Sequence, residues 1–143
     1  MIGSVRQDGS TACMTIEGAI NAEVFRVYVR DVLLPTLSAG DILVMDNLST
    51  HKDRQSLEML KQAGVTVRFL PAYSPDYNPI EMMWSKIKAL LRKAEARTND
   101  TLLHAIGHTL DQVTKKDATH WFAHCGYNFI QNALTAFTPK ANS

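Results

Sequence analysis

The sequence predicts an α/β fold organised around a parallel pair of strands. Two short apolar runs, "GDILVMDN" from Gly40 and "VTVRFL" from Val65, stand on either side of a helical pattern. A continuous apolar run of this length is typical of a strand buried on both faces, which occurs mainly in parallel sheets. The order strand, helix, strand therefore indicates a βαβ unit and an α/β protein.

The N-terminal part predicts a hairpin followed by a helix. The runs "MIGSVRQ" and "STACMTI" lie on either side of Asp8-Gly9, a pair that favours a hairpin turn. The next segment, "NAEVFRVYVRDVLLPTL", carries apolar residues at helical spacing. We expect this helix to begin after Asn21 as its N-cap and to end at Pro35.

The remaining pattern is mostly helical. The segment "DRQSLEMLKQAG" predicts a helix closed by Gly64. Further helices are predicted from Pro79 to about Ala96, from about Asp100 to Lys115, and around "HWFAHCGYNFIQNAL". We expect residues 1–128 to form one domain and residues 129–143 to form a C-terminal helix and tail.

Composition narrows the class of protein. The chain has 143 residues, 45% of them hydrophobic, a formal net charge of +1 and two cysteines. This length fits one domain with a substantial core. Two cysteines argue against a disulfide scaffold and fit a reducing cytoplasm. No apolar run is long enough for a membrane span, so we expect no membrane partner.

Two acidic residues are predicted to converge at one edge of the sheet. Asp46 ends the "DILVMD" strand, and Glu81 begins the helix that follows the next strand. Sites in such sheets collect beyond the carboxyl ends of the strands. Glu81 also has a purely structural interpretation, because Asn78, Pro79 and Glu81 match the N-cap, first and third positions of a capped helix. The pattern alone leaves both roles open.

The segments "VMDNLSTH" and "LPAYSPDYNPIEMMW", with thirty-four residues between Asp46 and Glu81, resemble the catalytic core of mariner-type DDE transposases in their bacterial insertion-sequence branch. The resemblance extends from the hairpin to about Tyr127. It implies a ribonuclease H-like core, a mixed sheet flanked by helices, and two divalent metal ions, Mg²⁺ or Mn²⁺. It also implies DNA as the partner, both transposon ends and target, in the nucleoid of a bacterial cytoplasm.

Residue by residue, the resemblance assigns Asp46 to the family's second acid and Glu81 to the third. Both are then metal ligands and catalytic residues, since Mg²⁺ prefers carboxylate oxygens. Asn47 and His51 match polar positions after the second acid, and are expected to support the ligands, as is Asn78. The turn before the third acid matches at Tyr73, Ser74, Pro75, Asn78 and Pro79.

The family's first aspartate has no match in this sequence. It would lie on a strand before "IGSVRQ", which is normally central, between the hairpin and the "DILVMD" strand. Asp8 falls in the hairpin turn, and Asp41 lies five residues before Asp46. Neither is placed to substitute for it. The chain is thus expected to represent the carboxyl-terminal part of a transposase whose sheet lacks its first strand. We expect self-association or a rearranged sheet.

The helix after Glu81 predicts a surface for the DNA backbone. At 100° per residue, Lys88 and Arg92 lie on the same face as Glu81. A second basic strip comprises Lys86, Lys93 and Arg97. Cations beside a metal site can hold phosphates, although exposed basic residues on a helix are also common without any ligand.

Three functions are compatible with these patterns. The first is a transposase catalytic-domain fragment for metal-dependent DNA cleavage and strand transfer, inactive alone because one of three acids is absent. The second is a non-catalytic DNA-binding or assembly module, acting as a homodimer or with a full-length transposase. The third is an unrelated α/β protein in which Glu81 only caps its helix.

Overall fold

The computed structural model describes residues 1–71, 78–94, 99–127 and 133–137, with only the backbone described for residues 99–101 and 133–137. The strands of the described part are β1 (Ile2–Arg6), β2 (Thr11–Met14), β3 (Ile42–Met45), β4 (Thr66–Phe69) and β5 (Ala133–Phe137). Its α-helices are α1 (Ala22–Tyr28), α2 (Arg54–Gln62), α3 (Pro79–Ala94), α4 (Asn99–Leu110) and α5 (Lys115–His124). The strands form one mixed sheet in the order β2-β1-β5-β3-β4, so the predicted α/β class is confirmed.

The predicted hairpin is confirmed. β1 and β2 are antiparallel, with Ile2 opposite Met14 and Val5 opposite Thr11. The turn between them passes through Gly9 at a φ of +90°, a conformation that glycine adopts without strain. A side chain there would also meet the start of α5, because a Cβ on Gly9 would lie 2.7 Å from the backbone nitrogen of Lys115.

The first helix begins as predicted and ends differently. The side chain of Asn21 accepts a hydrogen bond from the backbone N–H of Val24 at 2.9 Å. After Tyr28 the helix widens into a π-helical turn, Val29–Leu33, and tightens into a 3₁₀ turn, Leu34–Thr36. Pro35 is tolerated within the 3₁₀ turn because the first residues of a helical turn have no internal acceptor for their N–H groups.

The predicted βαβ unit is also present. β3 and β4 are parallel, with Ile42 beside Thr66 and Met45 beside Phe69. α2 connects them and is followed by Gly64 at a φ of +80°. Leu43, Val44 and Met45 are all buried, as expected for a strand covered on both faces.

β5 corrects the prediction for the C-terminal segment. Residues 129–143 were expected to form a helix and tail, but Ala133–Phe137 form a strand in the middle of the sheet. β5 is antiparallel to β1 and parallel to β3. The physical reason is backbone pairing, since β1 and β3 each have one edge that β2 or β4 does not cover. The domain boundary predicted at residue 128 lies outside the described residues.

Two apolar cores lie against the sheet. One includes α1 and α2 and the strand residues Ile2, Leu43 and Met45. The other includes α3 and α5 and the strand residue Val5. Contacts of α3 with β1 and β5 place this helix over the middle of the sheet. α3 is thereby fixed relative to the strand that carries Asp46.

An ion pair connects the hairpin to the start of β3. Arg6 donates two hydrogen bonds to Asp41, at 2.8 and 3.1 Å, and the Asp41 side chain is only 4% exposed. Donation by Arg6 holds the pKa of Asp41 below its ordinary value. This buried pair gives Asp41 a structural role away from Asp46, as its position in the sequence predicted.

No helix in the described part of the chain has the length and apolarity that a membrane crossing requires.

Candidate metal and DNA-binding site

Asp46 lies directly after β3, at the carboxyl end of the parallel pair. The strand before it is fixed on both sides, by β4 and by β5. The backbone N–H of Leu70 donates to the carbonyl of Met45 at 2.8 Å, which closes the ladder next to Asp46. The Asp46 side chain is 24% exposed, so a carboxylate on a rigid strand end is accessible to a ligand.

His51 lies against this carboxylate. Its Nδ1 is 2.8 Å from Oδ1 of Asp46, and its side chain is fully buried. The residue belongs to a 3₁₀ turn, Ser49–Lys52, that connects β3 to α2. His51 therefore contacts Asp46, and its role in supporting a metal ligand stays a prediction. The neighbouring Asn47 is exposed to solvent.

Glu81 lies in the first turn of α3 and is partly exposed. The strand register places the start of β1 at the end of the sheet where Asp46 lies, and α3 packs against β1. Gly3 of β1 pairs with Phe137 of β5. The residue before Phe137 is Ala136, which pairs with Met45 of β3, and Asp46 follows Met45. Trp84 lies over Gly3, because a Cβ on Gly3 would be 3.0 Å from its ring. Glu81 precedes Trp84 by three residues, or about 4.5 Å along the helix axis.

The predicted capping role of Asn78 is wrong in its side-chain part. The backbone carbonyl of Asn78 accepts from the N–H of Glu81 at 3.1 Å. The N–H of Glu81, one of the two that a capping side chain can bind, is therefore already satisfied by the backbone. The Asn78 side chain is buried, and its two polar atoms make no hydrogen bond with any described group. Tyr73, Ser74 and Pro75 lie outside the described residues.

The basic residues predicted to contact DNA divide into two groups. Lys88, Arg92 and Lys93 are wholly or partly exposed on α3, and none has an ion pair within the described residues. Lys86 differs, because its ammonium donates to the carboxylate of Asp117 and to the carbonyl of Gln112. Lys86 therefore joins α3 to α5, and its predicted role in DNA binding is not supported. Arg97 lies outside the described residues.

The donor set fits one hard cation better than two. Asp46 and Glu81 supply carboxylate oxygens, the ligands that Mg²⁺ and Mn²⁺ prefer. Within the described part of the chain, no three histidine, cysteine or acidic side chains are grouped as a metal site would require. A second ion would depend on ligands other than these two carboxylates.

Sequence reasoning missed the residues that support His51. The ring of Phe25 lies 4.8 Å from the ring of His51. The next residue, Arg26, donates to both carboxylate oxygens of Asp53, at 3.0 and 2.8 Å. These bonds hold the pKa of Asp53 well below its ordinary range. The only signal in the sequence was that α1 carries an arginine beside its apolar stripe, which is common in helices.

Comparison with known proteins identifies the family of the chain. A family model described as DDE superfamily endonuclease matches residues 1–103, which include both Asp46 and Glu81. The match also includes the βαβ unit and α3, and it stops before α5 and β5. No curated protein matches the chain. Because the match covers most of the chain, this protein belongs to the DDE superfamily endonuclease family.

Proposed function

We propose that this chain contributes the metal-binding and DNA-binding surfaces of a mariner-type transposase of a bacterial insertion sequence, where it would act on DNA in the nucleoid. The observation that carries the proposal is the pair of carboxylates on two rigid elements, Asp46 after β3 and Glu81 at the start of α3. Family membership supports it, since DDE endonucleases act on DNA and typically use divalent metals. In this proposal the sheet is a ribonuclease H-like core in which β5 takes the place of the first strand.

Each residue has a separate task in the proposed site. Asp46 and Glu81 hold the cation between the strand end and the helix. Lys88 and Arg92, further along α3, bind phosphates of the DNA backbone and orient the strand. A divalent cation bound there would activate the attacking water or hydroxyl and stabilise the leaving oxygen. Asn47 and Asn78 are proposed to support this end of the sheet.

The 143 residues alone are proposed not to cleave DNA. Two-metal phosphoryl transfer requires both ions to be fixed, and the described part of the chain contains no group of three metal-ligating side chains. The same observation supports the second candidate function, a non-catalytic DNA-binding or assembly module that acts with another copy or with a longer transposase. The two functions share the DNA surface and differ in the metal site.

Metal binding tests the proposed site. Wild-type protein is expected to bind one Mn²⁺ weakly in calorimetry, and Asp46→Ala and Glu81→Gln are each expected to lose most of that binding. Glu58→Ala is the matched control, because Glu58 is exposed on α2 and its side chain accepts a hydrogen bond from Gln62, away from Asp46 and Glu81 in the sequence. Equal binding by wild type and Asp46→Ala would refute the metal site.

DNA binding is expected to be independent of sequence and sensitive to salt. Neutralising phosphates releases counterions, so affinity falls by orders of magnitude between about 50 and 200 mM salt when several contacts form. The double variant Lys88→Glu/Arg92→Glu is expected to abolish binding in a fluorescence anisotropy assay with duplex DNA.

The matched control for DNA binding is Arg54→Glu/Lys61→Glu, which makes the same charge change on α2. Both residues are exposed, and α2 packs in the other apolar core, away from α3. This control is expected to retain most of the affinity. Equal losses in the two double variants would show that overall charge, not the α3 surface, determines binding.

A further inference from the structure

We propose that His51 is a positioning residue for the metal site, holding Oδ1 of Asp46 so that only Oδ2 is presented to the cation. The proposal rests on the proposed function of Asp46 as a ligand. It specifies how His51 supports Asp46 and adds a role for α1, which is distant from both acids in the sequence.

The contact between His51 and Asp46 requires a proton on Nδ1. The two atoms are 2.8 Å apart, and both are buried. At this distance the lone pairs of an unprotonated nitrogen and a carboxylate oxygen would repel each other, whereas a protonated nitrogen attracts the carboxylate as an ion pair. Among the described groups, Oδ1 of Asp46 makes no hydrogen bond of regular geometry, so this ion-pair contact is the polar contact that the structure describes for it. His51 therefore fixes the carboxylate at one oxygen.

The two carboxylate oxygens of Asp46 differ in their exposure to solvent. The side chain as a whole is 24% exposed, although Oδ1 is inaccessible to solvent. The exposed part of the carboxylate is thus on the Oδ2 side. A ligand arriving from solvent meets Oδ2 while Oδ1 remains bound to His51, an arrangement that favours coordination through one oxygen.

α1 holds His51 in place at two points. Phe25 packs against the imidazole ring, with 4.8 Å between centroids. Arg26 binds Asp53, the residue that follows the 3₁₀ turn of His51. Asp53 also accepts from the backbone N–H of Ser56 at 3.0 Å and so caps α2. The turn is therefore fixed between α1 and α2, and the ring cannot rotate away from Asp46 without losing these contacts.

Two amide substitutions distinguish this role from simple packing. His51→Asn places an N–H donor near the position of Nδ1, and His51→Gln places one near Nε2 instead. Both leave an uncharged amide of similar polarity in the same buried position. Supporting residues of this kind typically contribute 10- to 100-fold to metal affinity. We expect about tenfold weaker Mn²⁺ binding for His51→Gln, and affinity close to wild type for His51→Asn.

Each outcome of the Mn²⁺ titrations supports or overturns a stated part of the proposal. Equal Mn²⁺ affinity in wild type and both variants would overturn the role of His51 while leaving Asp46 as a ligand. An equal loss in both variants would mean that packing, not the Nδ1 donor, determines affinity. If Asp46→Ala binds Mn²⁺ as wild type does, the metal site itself fails. Urea unfolding without metal, run on every variant, shows whether affinity changes independently of stability.

Two further measurements do not depend on the folding of the His51 variants. The ¹⁵N chemical shift of Nδ1 in metal-free wild type is expected to be that of a protonated nitrogen, and an unprotonated Nδ1 would overturn the proposal. Arg26→Gln removes the bidentate contact with Asp53 from a side chain that is 29% exposed. It is expected to weaken Mn²⁺ binding less than His51→Gln does, and unchanged affinity would overturn the role of α1.

Discussion

Ending the chain after Tyr127 is expected to abolish cooperative folding. The shortened chain loses β5, and β1 and β3 then have no strand between them. The hairpin and the β3–β4 pair would become separate units with unpaired, largely apolar edges, which promote association. We expect loss of most of the free energy of unfolding, which is about 5–15 kcal/mol for an ordinary domain.

Urea unfolding followed by circular dichroism, with light scattering for association, measures this effect. A chain that ends after Phe137 is the matched control, because it retains all five strands. Thr135→Pro provides a smaller change at the centre of β5, between Val44 and Val5. A proline there removes a backbone donor from a central strand and is expected to cost about 1–3 kcal/mol, since it leaves a buried acceptor unsatisfied. A Tyr127-terminated chain that unfolds cooperatively as a monomer, with native stability, would contradict the position of β5.

Phe137→Asp is expected to tighten Mn²⁺ binding. Position 137 follows Ala136 on β5, as Asp46 follows Met45 on β3, and Ala136 and Met45 are parallel partners. Adjacent strands are about 4.8 Å apart, and partners in register share a face of the sheet. The substitution therefore places a third carboxylate beside Asp46. Hard cations bind more tightly as carboxylate ligands are added, and we expect about a tenfold gain, or about 1.4 kcal/mol.

Phe137→Asn is the control, because it has the same shape as the aspartate variant without its charge. It is expected to bind Mn²⁺ as wild type does. Plasmid nicking in Mn²⁺ is the second measurement. Wild type is expected to show no more nicking than Asp46→Ala, and Phe137→Asp is the variant in which nicking above that level is expected. Identical affinities for the aspartate and asparagine variants would show that position 137 does not adjoin Asp46.

The predictions for the shortened chain and for Phe137→Asp both follow from the position of β5 in the sheet. The resemblance implies a central strand between the hairpin and β3, carrying the first acid. In the structure that place is occupied by Ala133–Phe137, a segment without an acidic residue and outside the region matched by the family model. The five described strands form one continuous sheet, while the family's first acid has no counterpart at the position beside Asp46. This separation explains why stability and metal affinity are expected to respond to different changes in the same strand.

The sequence by itself determined the elements whose signals are local. Asp8-Gly9 defined a hairpin, the run ending at Asp46 defined a buried strand, and Asn21 capped its helix as predicted. These local inferences succeeded because turn conformation, helix capping and burial depend on neighbouring residues. That Asp46 and Glu81 converge at one end of the sheet stays a prediction from the order of strand and helix.

Only the tertiary structure decided which elements occupy the middle of the sheet and which side chains support Asp46. "ALTAF" is too short and too weakly patterned to be assigned as a strand, and becomes one through pairing with β1 and β3. Lys86 was predicted to bind DNA because of its position on the helix, but in the structure its ammonium group donates to Asp117 of α5. Likewise, His51 meets Asp46 because α1 packs against the turn between them. Such contacts join residues distant in sequence, and their energies arise only when the chain is folded.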